Sequence, residues 1–314
     1  MKARYLSLAP FIRWRTTERP VPWTDVFGRD APLEVEIGFG NGEFLIRHAQ
    51  EHPERDFVGI DLEWASVQRG LRRIAQMEAT NIRVLQADAQ VVFERVFAPQ
   101  TLHRVYSLFP CPWPKERHTK YRLFSRTFLR LINSRLIETG EAQIVTDSAP
   151  YAQWVETQVP GTGFTLGSEP TLLRFRTKYE RKWRAQGQES FYHLHLTKHQ
   201  HLPTPLREDV PVQTHRIDHF DPKHFCPDNV RGAITVEFKD FLYDPKKQRG
   251  MVWVFTVEAG LTQDFWIQII RKRDCWHIRP APGCAVVPTV SVQHALDLVR
   301  DVALEHTENS FGNS

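Results

Sequence analysis

The sequence predicts an α/β protein: a doubly wound parallel sheet followed by a small α+β domain. Three observations carry that reading. Short apolar runs alternate with segments of helical period between residues 33 and 147. The first run leads directly into Gly38-Phe39-Gly40-Asn41-Gly42, so strand, glycine loop and helix open a βαβ unit. Beyond residue 231 the pattern changes to period-two alternation rich in β-branched and aromatic residues, as in an antiparallel meander.

Leu33 to Ile37 is the first strand, an apolar run with acidic interruptions. Glu43 to Gln50 is the helix after the loop, with Phe44, Leu45 and Ala49 at roughly helical spacing and Pro53 as its stop. Phe57 to Ile60 is the second strand, ending at Asp61, and Trp64 to Gln76 is the crossover helix. Arg83 to Gln86 is the third strand, leading to Asp88, and Val91 to Val96 is helical. Arg104 to Phe109 is the fourth, delivering a loop with Pro110, Pro112 and Pro114. Three prolines at alternate positions fix φ and remove three backbone donors, so this loop is expected to be stiff and extended. Leu123 to Leu136 reads as an amphipathic helix ended by Gly140, Ala142 to Val145 as a fifth strand finishing at Thr146-Asp147, and Tyr151 to Val159 as a short helix. Phe191 to Leu196 alternates as a closing strand.

Residues 200–230, with five prolines and little periodicity, read as a connection between a first domain at 1–199 and a second at 231–314. In the second, Ile234 to Tyr243, Met251 to Glu258 and Phe265 to Arg271 are strands, Cys275 to Ile278 adds another, and Val292 to Leu304 is an amphipathic helix. Trp253, Trp266 and Trp276 are expected in its core rather than as platforms for bases.

The chain has 314 residues, 41% of them hydrophobic and 25% charged, enough for two cores in an ordinary soluble protein. It holds no apolar run long enough to span a bilayer and no leader-like apolar stretch near Met1, so a cytoplasmic protein with no membrane partner is expected. Cys111, Cys226, Cys275 and Cys284 form no Cys-x-x-Cys pair and read as free thiols. Residues 1–200 carry 28 Lys and Arg against 22 Asp and Glu, whereas 201–314 carry 13 against 15. A polyanionic partner therefore belongs to the first domain.

Ligands of such a sheet bind at the carboxyl ends of its strands. Glu36, Asp61, Asp88 and Cys111 all fall at or near those ends. A Gly-x-Gly-x-Gly loop, here Gly38, Gly40 and Gly42, lets a nucleotide-like ligand approach the backbone, although glycine loops also serve as plain turns. Glu36 disfavours a pyrophosphate and favours a cationic ligand. S-adenosyl-L-methionine carries a sulfonium and an ammonium; Asp61 suits ribose hydroxyls, and Asp88 an adenine amino group. The seven histidines between His193 and His224 lack carboxylate or cysteine ligands at recognisable spacing, so no metal is expected. After the proline loop, Lys115, Arg117, Lys120 and Arg122 are interleaved with Trp113, His118 and Tyr121, a composition suited to phosphates and stacked bases or, more plainly, to a solvated loop. A second basic run spans Arg174 to Arg184.

Glu36 to Gly42, Phe109-Pro110-x-Pro112-Trp113-x-Lys115, Arg117-His118, Thr146-Asp147 with Pro150-Tyr151, and Thr177-Lys178-Tyr179-Glu180 together resemble the bacterial tRNA (guanine-N7)-methyltransferases, over residues 33 to 196 and in the family's order. The resemblance implies a Rossmann-like class I methyltransferase fold with an appended C-terminal domain. It implies methyl transfer from S-adenosyl-L-methionine to N7 of a guanosine in the tRNA variable loop, with tRNA rather than DNA as the partner. By motif position, Glu36, Gly38, Gly40, Gly42, Asp61 and Asp88 would contact the cofactor. Lys115, Asp147, Thr177, Lys178, Tyr179 and Glu180 would meet the target nucleotide, and Arg117, His118, Lys120 and Arg122 the RNA. A monomer is the favoured assembly.

One position departs from the family pattern: Cys111 stands where the family has its presumed catalytic aspartate. Guanine N7 already offers an in-plane lone pair, so no proton must leave before attack and a general base is not obligatory. What helps is alignment of the reacting atoms and acceptance of hydrogen bonds from the guanine N1–H and N2–H₂ edge. A charged hydrogen bond of that kind is worth roughly 1.5–3 kcal/mol, about ten- to a hundredfold in rate. Asp147 or Glu180 would be the replacement carboxylate, and Cys111 a neutral thiol. The rival readings are a tRNA-binding protein that has lost transfer, and a methyltransferase for another RNA or an exocyclic amine.

Overall fold

The computed structural model describes residues 6–171, 185 and 191–308. The chain divides into two compact units, Met1–Arg207 and Glu208–Ser314.

In the first unit, β1 (Leu33–Ile37), β2 (Asp56–Asp61), β3 (Ile82–Gln86), β4 (Leu102–Leu108), β5 (Leu136–Thr146), β6 (Phe164–Thr171) and β7 (Phe191–Lys198) form one sheet in the order β3-β2-β1-β4-β5-β7-β6. The pairs β1–β2, β2–β3, β1–β4 and β4–β5 are parallel, whereas β7 is antiparallel to both β5 and β6. The sheet is thus parallel from β1 to β5, as the doubly wound reading expects, and antiparallel at one edge. Chain order reverses between β1 and β4, which opens the crevice where open α/β sheets bind ligands.

Helices α1 (Trp23–Phe27), α2 (Glu43–Glu51), α3 (Trp64–Met77), α4 (Ala89–Arg95), α5 (Arg126–Arg135) and α6 (Ala149–Gln158) connect these strands. On α3, Val67, Leu71 and Ile74 recur at helical spacing and are buried with Leu45 and Ile46 of α2 and Phe57 of β2. Helix α5 starts later and stops earlier than its hydrophobic pattern suggests. Ser125 caps it, accepting from the Phe128 N–H. Its end is set by a residue far along the chain: Lys198 of β7 donates to the carbonyls of Asn133 (2.9 Å) and Leu136 (2.6 Å), placing a cation on the helix C-terminus. Strand β5 begins at once at Leu136, so Gly140 lies within a strand rather than after a helix. Arg135, wholly buried, donates to the carbonyls of Phe93 and Thr204, both at 2.7 Å, and ties the proline-rich segment to the core. Burial lowers its pKa to about 10.

In the second unit, β8 (His215–Ile217), β9 (Ile234–Asp244), β10 (Arg249–Glu258), β11 (Leu261–Lys272) and β12 (Cys275–Pro280) form an antiparallel sheet in the order β8-β12-β11-β10-β9, and α7 (Val290–Glu308) follows. Val292, Leu296 and Val299 of α7 pack with Val252, Val254, Ile267 and Ile269. Strand β8 lies inside the segment expected to be a plain connection. Trp276 is in this core, as expected, but Trp253 is 40% exposed and stacks on Trp266 on the opposite face of the sheet. Strand alternation places them there: the residues flanking each, Val252 and Val254, Phe265 and Ile267, are the ones that point inward.

Candidate active site

Two adjoining cavities occupy the crevice, each about 290 Å³, and they share Gly38, Leu108 and Phe109. The first is polar and includes Glu36, Asn41, Glu43, Ser66 and Arg69. The second runs from Ile60, Asp61, Ala87 and Asp88 to Cys111, Trp113 and Tyr121. The structure therefore brings Glu36, Gly38, Gly40, Asp61, Asp88 and Cys111 to two adjoining cavities.

Glu36 lies near the end of β1 and is 3% exposed. Its carboxylate takes a hydrogen bond from the Leu45 N–H in the first turn of α2, while Oε2 is buried with no partner among the described residues. Burial is the main reason its pKa rises from an ordinary 4.5 to about 8, with the Asp61 charge adding to it. A buried carboxylate oxygen facing a polar cavity calls for a donor, best a cationic one. Asp61 closes β2 and holds the glycine loop: Oδ2 accepts from Gly40 N–H at 2.9 Å and Oδ1 from Glu63 N–H at 2.9 Å. Burial nevertheless raises its pKa. Asp88 is exposed and caps α4, its Oδ1 accepting from Gln90 N–H at 2.8 Å. Gly40 and Gly42 have φ of +59° and +74°, which side-chain-bearing residues rarely adopt.

Sequence reasoning missed Phe39, the residue on which this loop is seated. Its ring fills the space left by two glycines: a Cβ on Gly59 would lie 2.8 Å from Phe39 Cδ1, and one on Gly70 would lie 2.7 Å from Cε2. A glycine inside strand β2 and another inside helix α3 were the legible signs of a close approach. Phe109, also missed as a site residue, lines both cavities and packs edge-on against Phe191, with centroids 5.7 Å apart.

The proline loop is not uniformly extended. Phe109 and Trp113 adopt φ of +58° and +44°, and a 3-10 helix follows at Glu116–Tyr121. Lys115, Arg117 and Lys120 are exposed there. His118 packs edge-on against Trp113, 5.7 Å between centroids. Arg122, expected to meet RNA, instead turns back on the loop. Its Nε donates to the Pro112 carbonyl at 2.9 Å and its Nη2 to that of Trp113 at 3.3 Å, while the guanidinium lies 5.2 Å from the Trp154 ring centroid. Cys111 is exposed, and Asp147 sits half-buried just past the end of β5. Thr177, Lys178, Tyr179 and Glu180, with the second basic run, lie outside the described residues. Among the described residues, no group of three or more His, Cys, Asp or Glu is arranged to hold a metal. Several histidines are paired singly instead, His195 with Glu141 and His215 with Asp297.

Residues 30–193 match the family model described as "Putative methyltransferase". The chain is 44% identical over 183 residues to the tRNA (guanine-N(7)-)-methyltransferase of Chlorobium phaeobacteroides, a match covering 58% of this chain and 90% of that one. It is 34% identical over 253 residues to the protein of the same name from Thermus thermophilus, covering 78% and 80%. With that from Aquifex aeolicus it is 29% identical over 299 residues, covering 92% and 97%. This last similarity extends into the second unit.

Proposed function

Because the chain belongs to the tRNA (guanine-N7)-methyltransferase family, we infer that it transfers a methyl group from S-adenosyl-L-methionine to N7 of a guanosine in tRNA, in the variable loop. The observation that carries the reading is the unpartnered Oε2 of Glu36 in the cavity beside the glycine loop. When bound, the cofactor supplies an electrophilic methyl on a cationic sulfur, with an ammonium at one end and an adenosine at the other. The residues present fit those two ends. Glu36 is the partner for the ammonium in the polar cavity, and binding a cation favours its ionised form. Asp61 keeps two carboxylate oxygens at the rim of the neighbouring cavity, where ribose hydroxyls find acceptors. Ile60, Leu62, Ala87 and Ala89 supply apolar walls there, and Asp88 an acceptor for an exocyclic amine.

The acceptor half of the reaction asks little proton chemistry of the protein. N7 attacks through its own lone pair, so the chain must orient the base, exclude water and accept hydrogen bonds from an edge that becomes more acidic. Cys111 lies in the same cavity as Asp61 and Asp88, which supports a role for the thiol beside the guanine. Asp147 and Glu180 are the carboxylates assigned to the Watson–Crick edge. Lys115, Arg117, His118 and Lys120 meet the RNA backbone, and Thr177 to Tyr179 position the nucleotide.

Incubation with methyl-labelled cofactor and unmodified tRNA transcript, followed by nucleoside digestion, tests the reading. Label is expected in 7-methylguanosine; tRNA binding without label would contradict it. Cys111→Asp restores a charged acceptor, so its single-turnover rate is expected to rise, by about ten- to a hundredfold at most. An unchanged or lower rate would show that the pocket is built around the thiol.

A further inference from the structure

The five-stranded sheet of the second unit presents two unlike faces. Helix α7 covers one. The other carries Trp253 and Phe255 of β10 and Trp266 of β11. Trp253 and Trp266 are direct cross-strand partners, their rings stacked at 6.1 Å and 23°, and Trp253 is 40% exposed. The Lys239 ammonium stands 5.6 Å from the Phe255 ring. Register fixes the neighbours on this face. His277 pairs with Arg216 while the flanking Trp276, Ile278 and Ile217 point to the core. Gln268 pairs with Arg279, whose guanidinium donates to Gln268 Oε1 at 3.2 Å, and Lys272 follows on the same side of β11. Acidic Asp240 lies across from Trp253, Asp264 lies across from Phe255 and two residues from Trp266, and Glu237 pairs with Lys239, while Arg216 and Arg279 lie on β8 and β12 and Lys272 at the far end of β11.

An uncovered aliphatic face would suit a second copy of the chain or a protein partner. A stacked tryptophan pair with Arg279 on the neighbouring strand, and Arg216 and Lys272 further along the same face, suits unpaired bases with their phosphates, because every base offers a π-face and each phosphate a charge. The unit's slightly acidic net charge does not oppose this, since Arg216, Lys272 and Arg279 share one part of one face. We propose that the outer face of this sheet binds a single-stranded stretch of RNA. Trp253 and Trp266 stack on its bases, and Arg216, Lys272 and Arg279 pair with its phosphates. The inference rests on the methyltransferase reading only for the polymer being RNA.

The test uses the full chain with tRNA transcript and, separately, a ten-nucleotide oligouridylate. Trp253→Ala is expected to weaken binding of both by about fivefold or more, with kcat at saturating tRNA and cofactor affinity unchanged, and Trp253→Phe to retain most of the affinity. Arg216→Glu, at an exposed position away from the rings, is expected to weaken both and to flatten the salt dependence. Unchanged RNA affinity in Arg216→Glu and in whichever Trp253 variant folds overturns the proposal, while labelled methyl transfer by the same preparation leaves the activity standing. RNA affinity lost in the variants of a wild-type protein that transfers no methyl supports the surface and counts against the enzyme. A dimer that Trp253→Ala converts to monomer with RNA affinity intact would assign the face to self-association and also overturn it.

Discussion

Glu34 and Glu36 sit two residues apart on β1, and their environments drive them in opposite directions. Burial acts to raise both. At Glu34, hydrogen bonds from His48 and Arg55 outweigh it and hold the carboxyl below its usual range; Tyr106 donates as well, at 3.1 Å. At Glu36 burial prevails, and the pKa rises to about 8. A depressed carboxyl contributes stability above its ordinary pKa and loses it as pH falls. A raised one contributes fully below its ordinary pKa and loses that contribution as pH climbs towards 8. Glu36→Gln is therefore expected to stabilise the ligand-free protein by on the order of 1–3 kcal/mol near pH 8, with the gap closing towards pH 4.5, and to weaken cofactor binding about tenfold or more. Glu34→Gln is expected to destabilise at neutral pH, because it weakens the ion pair with Arg55. Thermal melts of the two variants between pH 4.5 and 8 check the signs; parallel curves for all three proteins would contradict them. Glu36 was legible in the sequence from its place before a glycine loop. The compensation at Glu34 was not, because His48, Arg55 and Tyr106 converge from α2, the turn before β2, and β4.

At the scale of elements, the proline loop shows how far pattern reading reaches. Pro110, Pro112 and Pro114 announced a loop, but prolines alone do not set its path. Positive φ at Phe109 and Trp113 turns it, and Arg122, seated on the Tyr151 and Trp154 rings, holds its carbonyls. The same guanidinium is an expected RNA contact because basic residues surround it in sequence. Arg122→Lys keeps the charge and loses the paired donors, so kcat is expected to fall about tenfold while the salt dependence of tRNA binding stays at the wild-type slope. A reduced slope with unchanged kcat would return Arg122 to the RNA surface. Elements missed in the sequence share a physical cause. Strand β6 contains Gly167 and Pro170 and lacks alternation, and β8 is three residues long among prolines; each is held by its neighbour in the sheet, β7 or β12. The end of α5 depends on Lys198, 63 positions after Arg135. Local propensity carries none of these.

At the scale of the molecule, the parallel part of the first sheet was readable because its strands deliver the chain to glycine-rich, acidic or proline-rich ends, and the sheet reverses between β1 and β4. The antiparallel edge and the two-faced second sheet needed the register. We propose that the crevice at this reversal presents N7 of guanine to a methyl donor without a general base. Transcription of the same tRNA with guanosine or with 7-deazaguanosine tests it most directly, since the second lacks the attacking nitrogen and keeps the Watson–Crick edge. Wild-type protein is expected to bind both transcripts and to methylate the guanosine transcript alone. Equal incorporation of label into the two would contradict N7 as the acceptor.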